Sequence, residues 1–147
     1  MHHLDRKPTT LREHTDLIWQ TLFVDNGNTL ISFSDDKTIL KSNLRLKQTD
    51  SFPISAKEWN WGAAINPQES ILALAGDSPV IDLYDLATRK KIDSLEGFQN
   101  RVKAIAFRQS GDLVSVSENG LIKIWNLESG ECDEIQGNSQ GEYGAWR

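Results

Sequence analysis

The feature that most narrows what this chain can fold into is internal repetition, because a fixed period means that one supersecondary unit is used several times. Leu30-Ile31-Ser32-Phe33-Ser34-Asp35-Asp36 and Leu113-Val114-Ser115-Val116-Ser117-Glu118-Asn119 carry the same order of apolar, small and turn-forming residues 83 residues apart. Between them, Val80-Ile81-Asp82-Leu83-Tyr84-Asp85-Leu86 matches Leu121-Ile122-Lys123-Ile124-Trp125-Asn126-Leu127 at an offset of 41. The spacing predicts three units of about 41 residues in a chain of 147.

Within a unit the apolar period is two. Ile31 and Phe33, Ile81 and Leu83, and Val114 and Val116 alternate with polar or small neighbours, the pattern of strands with one face on a core. Asp25-Asn26-Gly27-Asn28, Gln109-Ser110-Gly111-Asp112, Asp35-Asp36-Lys37 and Glu118-Asn119-Gly120 read as tight turns between strands, with Asn and Gly at positions of positive φ. Strands are expected near 17–24, 29–34, 38–42 and 45–48; near 62–66, 71–75, 80–84 and 90–94; and near 102–108, 113–117, 122–125 and 131–135. Thr10 to Arg12 reads as an outer strand and Gln48 to Glu58 as a long loop. The fold class is all-β, one domain of three four-stranded antiparallel units over about 11–50, 58–96 and 98–136. Residues 137–147 form either a tail or the start of a further unit.

These units resemble the WD40 repeat family. The third carries the likeness best, from Leu95-Glu96-Gly97-Phe98 through Val102 to Phe107, Leu113 to Ser117 and Leu121 to Leu127, with Trp125-Asn126 in the place of the family's Trp-Asp pair. Tyr84-Asp85 stands there in the second unit and Ser42-Asn43 in the first. His14-Thr15-Asp16-Leu17-Ile18 resembles the family's histidine-bearing approach to the innermost strand, and Ser34 and Asp36 match its serine and turn aspartate. Phe98 and Asn119 replace the histidine and the aspartate in the third unit. The resemblance implies a partial β-propeller of about three blades and a structural polar network built from His14, Ser34, Asp36, Ser117 and Trp125.

A serine, a histidine and an aspartate also invite a hydrolase reading. Paired polar groups in a sheet avoid the cost of unsatisfied burial, whereas a nucleophile needs exposure and oxyanion donors besides. The network is therefore read as structural and the chain as a non-enzyme. There is no phosphate-binding Gly-rich loop, no metal-spaced cysteine pair and no His-Glu-x-x-His segment, so neither cofactor nor metal is expected.

The aromatics point to function. In WD40-like proteins the places of Trp19 and Lys103 lie toward the face that commonly binds peptides, although packing between blades would also account for Trp19. Alternation puts Trp59 and Trp61 on one face of an extended segment, where they cover the end of a blade or anchor a partner. Trp19, Trp59, Trp61, Arg101 and Lys103 together make a candidate partner surface for an acidic or mixed protein segment.

Charge and cysteine content bound the partners. Sixteen Lys and Arg against 21 Asp and Glu give a net charge of -5, which disfavours a nucleic-acid backbone as the main ligand. Cys132 is single, so no internal disulfide forms and a reducing, cytoplasmic setting is expected. No apolar run approaches the ~20 residues of a membrane span. Closed propellers hold roughly four to eight blades, so three imply open flanks that a partner covers: a second copy, a different subunit, a larger assembly or the rest of a longer chain. The expected function is a protein–protein interaction scaffold or assembly subunit. The alternatives are a regulatory or sensor subunit of an enzyme system such as a protease or ATPase, and a nucleic-acid-associated subunit.

Overall fold

A computed structural model describes residues 10–53 and 60–136. The described strands form three four-stranded antiparallel sheets, each made from four consecutive strands paired in sequence order. The first holds β1 (Ile18–Val24), β2 (Thr29–Ser34), β3 (Thr38–Asn43) and β4 (Gln48–Pro53). The second holds β5 (Asn60–Ile65), β6 (Ile71–Gly76), β7 (Ile81–Asp85) and β8 (Lys90–Leu95). The third holds β9 (Val102–Phe107), β10 (Leu113–Ser117), β11 (Leu121–Trp125) and β12 (Cys132–Gln136). This is the all-β blade architecture that the repeats imply. The chain divides into two compact units, Met1–Ile54 with the first sheet and Ser55–Arg147 with the other two.

Two strand expectations are corrected. The fourth strand of the first sheet does not lie at 45–48, of which only Gln48 belongs to it: the Asn43 side chain accepts the Leu46 N–H at 2.9 Å and Lys47 takes a φ of 55°, so the chain turns before Gln48. The fourth strand runs instead through Gln48–Pro53, in the stretch read as a loop, and its proline sits at the end of an outer strand, where a missing N–H is tolerated. No strand forms at Thr10 to Arg12. The other strands lie within two residues of their expected ranges.

The three turns after the third strands share one device. Asn43, Asp85 and Asn126 each accept backbone N–H groups two or three residues on: Leu46; Ala87 and Thr88; Glu128 and Ser129. Asp or Asn recurs there because its short side chain closes the turn on its own backbone. The Asn119-Gly120 turn differs from expectation. Gly120 has φ 85° and Asn119 is absent from the positive-φ residues; Asn119 serves as an acceptor from the Leu121 N–H at 3.3 Å.

In the second unit the core lies between two sheets. Ala73, Ala75, Ile81 and Leu83 of one meet Val102, Leu113 and Trp125 of the other, together with Phe98 from the segment that leads into β9. Burying such an aliphatic side chain contributes about 1.5–3 kcal/mol. Strand β6, Ile71–Gly76, is buried over almost its whole length on both faces; hence it reads in sequence as a continuous apolar run and not as an alternation.

Candidate interaction surface

The polar network of the first sheet is local. His14 Nδ1 lies 3.0 Å from Asp36 Oδ2 and its Nε2 lies 2.8 Å from Ser32 Oγ. Asp36 can only accept, so Nδ1 donates to it. Asp36 also accepts the Thr15 N–H, the Thr38 N–H and the Thr38 hydroxyl at 3.0, 2.8 and 2.6 Å. Burial pushes the Asp36 carboxyl upward, but these hydrogen bonds outweigh it and hold the pKa at about 2, below the ordinary 3.8. Ser34, which matches the family's serine, is not the one that His14 reaches. Its hydroxyl donates to Asp16 O at 3.1 Å and accepts the Asp36 N–H at 3.1 Å, tying the turn to the segment before β1.

The third sheet shows the same displacement by two residues. Trp125 Nε1 donates to Ser115 Oγ at 2.9 Å, and Ser115 is fully buried. Ser117 bonds to the Asn119 side chain instead. Phe98, in the place of the histidine, packs edge-on to Trp125 with centroids 6.4 Å apart. Every buried side-chain nitrogen or oxygen among the described residues has a hydrogen-bond partner. Each of these serine hydroxyls is hydrogen-bonded within its own sheet or to the segment that leads into it.

The residues of the candidate partner surface occupy one repeated place. In each sheet the pairing of the first two strands slips once, between Ile18 and Gln20, between Asn60 and Gly62, and at the last pairs of β9 with β10. The residues skipped are Trp19, Trp61 and Lys103, spaced 42 residues apart. A β-bulge leaves its extra residue outside the ladder and re-aims its side chain, so each innermost strand presents one such side chain. Asp35, Asp77 and Glu118, which directly follow the second strand of each sheet, accompany them. The sequence marks Asp35 and Glu118 only as turn residues and does not single out Asp77, although the three stand 42 and 41 residues apart.

In the second unit the bulge residues meet. The Trp61 ring has the Arg101 guanidinium 5.8 Å and the Lys103 ammonium 5.5 Å from its centroid, and its Nε1 donates to Val102 O at 3.3 Å. Arg101 pairs with Asp77 at 3.6 Å and Glu118 at 3.3 Å. Lys103 is exposed, and among the described residues no ion pair is recorded for it. Trp19 belongs to the other unit, is 41% exposed and bonds through Nε1 to the Asp35 carboxylate. Trp59 lies outside the described residues. A cation–π contact contributes about 0.5–1 kcal/mol at exposed sites, so the Trp61 ring and its two cations form a preset aromatic and cationic patch.

A second concavity of the same unit, about 360 Å³, is lined by polar residues including Asn66, Ser70, Asp112 and Asn126. Its polar groups are spent on local turns: Asn66 binds the Ser70 and Ile71 N–H groups and Asn126 those of Glu128 and Ser129. Among the described residues no group of three or more His, Cys, Asp or Glu is arranged to hold a metal ion.

Comparison with known proteins agrees with the blade geometry. The family described as "WD domain, G-beta repeat" matches residues 6–40 and 89–126. A p21-activated protein kinase-interacting protein 1-like of Danio rerio is 37% identical over 75 residues, covering 48% of this chain and 20% of that protein. A WD repeat-containing protein 89 homolog of Dictyostelium discoideum is 32% identical over 127 residues, covering 84% and 34%. The chain thus spans about a third or less of these relatives' lengths. The crystal structure of the RRP9 WD40 repeats superposes with a TM-score of 0.78 at 20% identity, covering 86% of this chain and 41% of that one, a likeness of fold alone.

Proposed function

We propose that this chain, which is built of WD40-type repeats in three four-stranded blades, serves as a protein–protein interaction scaffold or assembly subunit that grips an acidic segment of its partner. The fold is typical of such subunits and generally non-catalytic. The observation that carries the reading is the patch of Trp61, Arg101 and Lys103. The ring is anchored by its bond to Val102 O and flanked by two cations. On a chain of net charge -5, such a patch selects an acidic ligand by complementarity of charge.

Titration with a fluorescent peptide rich in Asp and Glu tests this. Lys103→Glu reverses the exposed charge without touching the core and is expected to weaken binding about tenfold, the equivalent of ~1.4 kcal/mol. Trp61→Ala is expected to weaken binding too, but it also lowers the melting temperature because the ring is half-buried, so Lys103 carries the test. Binding that Lys103→Glu leaves unchanged refutes the reading. A regulatory subunit beside an enzyme is the second reading, supported by the kinase-interacting name of the Danio rerio relative. Capture of a purified p21-activated kinase by this chain, abolished by Lys103→Glu, would place the two readings on one surface.

A further inference from the structure

One face of the first sheet and one of the third repeat, position for position, the two sides of a contact already made inside the second unit. There the third sheet lays one face, with Val102, Phe107, Leu113 and Trp125, on the Ala73, Ala75, Ile81 and Leu83 face of the second sheet. Register shows what the third sheet turns the other way. Val114 and Val116 pair with Ile124 and Ile122, as Ala73 pairs with Leu83. Ala106 lies opposite Val114 as Ala64 lies opposite Ala73, and Ile135 lies opposite Ile122 as Leu95 lies opposite Ile81. The back of the third sheet is thus a second copy of the apolar face on which that sheet itself sits. Yet Ile135 is 52% exposed and Ala104 and Ala106 are exposed, where Ala73 and Ile81 are fully buried.

The complementary side is present on the first sheet. Ile18 pairs with Ser34 and Phe23 with Leu30, as Val102 pairs with Ser117 and Phe107 with Leu113. Val102 is 0% exposed, but Ile18 is 54% and Phe23 65% exposed. On the opposite face of the first sheet, Val24, Ile31, Phe33 and Ile39 are all buried, so the exposure is confined to one side. Apolar surface gathered on one sheet face in this way is a mark of an interaction site.

We infer that the face of the first sheet bearing Ile18 and Phe23 docks on the face of the third sheet bearing Ala106 and Ile135 of a second copy of this chain. One sequence carries both halves of the contact, which makes the association head-to-tail. A head-to-tail contact of this kind either closes into a ring or runs on as an open series of copies. The inference uses the blade faces and not the Trp61 patch, so the two proposals stand or fall separately.

Sedimentation velocity across micromolar concentrations tests it on the full chain. The expected species are heavier than the 16.6 kDa of one chain and their share grows with concentration. Phe23→Lys and Ala106→Glu each place a charge on a side chain that is already exposed and are expected to shift the chain to monomer, while circular dichroism and Lys103-dependent peptide binding stay as in the wild type. Mixing the two variants is the decisive step. Each keeps one intact face, so the mixture is expected to regain association that neither variant shows alone, whereas a face pairing with itself would gain nothing. A monomer at every concentration, an association that neither substitution moves, or no recovery on mixing overturns the inference and leaves both faces to a blade of another chain.

Discussion

Replacing Asp36 by Ala removes the acceptor on which the first sheet's polar network converges. Four donors lose it: His14 Nδ1, the Thr15 N–H, and the Thr38 N–H and hydroxyl. The Thr15 amide is exposed and can turn to water, but the His14 side chain is 3% exposed and that of Asp36 9%, so part of the loss stays buried. A buried donor without a partner costs about 1–3 kcal/mol. The carboxyl's displacement from 3.8 to about 2 arises from these same hydrogen bonds and points to the upper part of that range, about 2–3 kcal/mol at ~1.4 kcal/mol per pH unit. The assay is native-state hydrogen exchange of the amides in β2 and β3, which reports opening of this sheet by itself; a loss of that size speeds exchange through opening by about 30- to 150-fold. The sign with pH follows from linkage. A carboxyl whose folded pKa lies below its unfolded value contributes in full above the unfolded value, and loses that contribution as pH falls through the folded one. The wild type should therefore lose the same increment between about pH 5 and pH 2, and the Asp36→Ala variant should not. A change under about 0.5 kcal/mol, the range of an ordinary surface substitution, or an equal pH dependence in both proteins, would refute the reasoning.

Three further outcomes follow from the second unit. Ser115→Ala leaves Trp125 Nε1 without its buried acceptor and is expected to destabilise by about 1–3 kcal/mol, whereas Ser117→Ala, with its bond to an Asn119 side chain at a turn, should cost less; urea unfolding compares the two, and the reverse order would be wrong for this geometry. Gly97→Ala places a Cβ 2.8 Å from Lys123 Nζ at a φ of +117°, so thermal melting should fall by several degrees, the effect of about 1–3 kcal/mol of backbone strain; an unchanged melt counts against it. Lys123→Met removes a 5% exposed cation that Glu134 meets at 2.6 Å and the rings of Phe98 and Trp125 flank at 5.3 Å; an apolar side chain of similar volume is expected to hold stability within about 1 kcal/mol, and a larger loss in urea unfolding would show the charge to be needed.

How far the sequence reaches depends on which physical variable decides a feature. Strand order, turn positions and the inward faces follow from a period of two and from residues that close turns, and both are visible in the letters. The serine of each polar network is different. Ser32 and Ser34, like Ser115 and Ser117, stand two positions apart, so alternation puts both on one face and cannot choose between them. The choice is set by depth: His14 and Trp125 reach the serine in mid-strand, and the serine at the strand end is left to serve the turn. The fourth strand of the first sheet escaped for a similar reason, because Gln48–Pro53 is polar and is defined by pairing with β3, not by a pattern of its own. The bulges show the opposite case. Nothing local marks Trp19, Trp61 or Lys103 as skipped residues, and two tryptophans and a lysine have no chemistry in common. Only the 42-residue spacing joins them, and the backbone slip at each explains the spacing: a side chain skipped by the ladder is not tied to a cross-strand partner, so its identity can vary from blade to blade. In such a chain repeated geometry holds the blades, and the positions where that geometry is interrupted are the ones that can specialise for a partner.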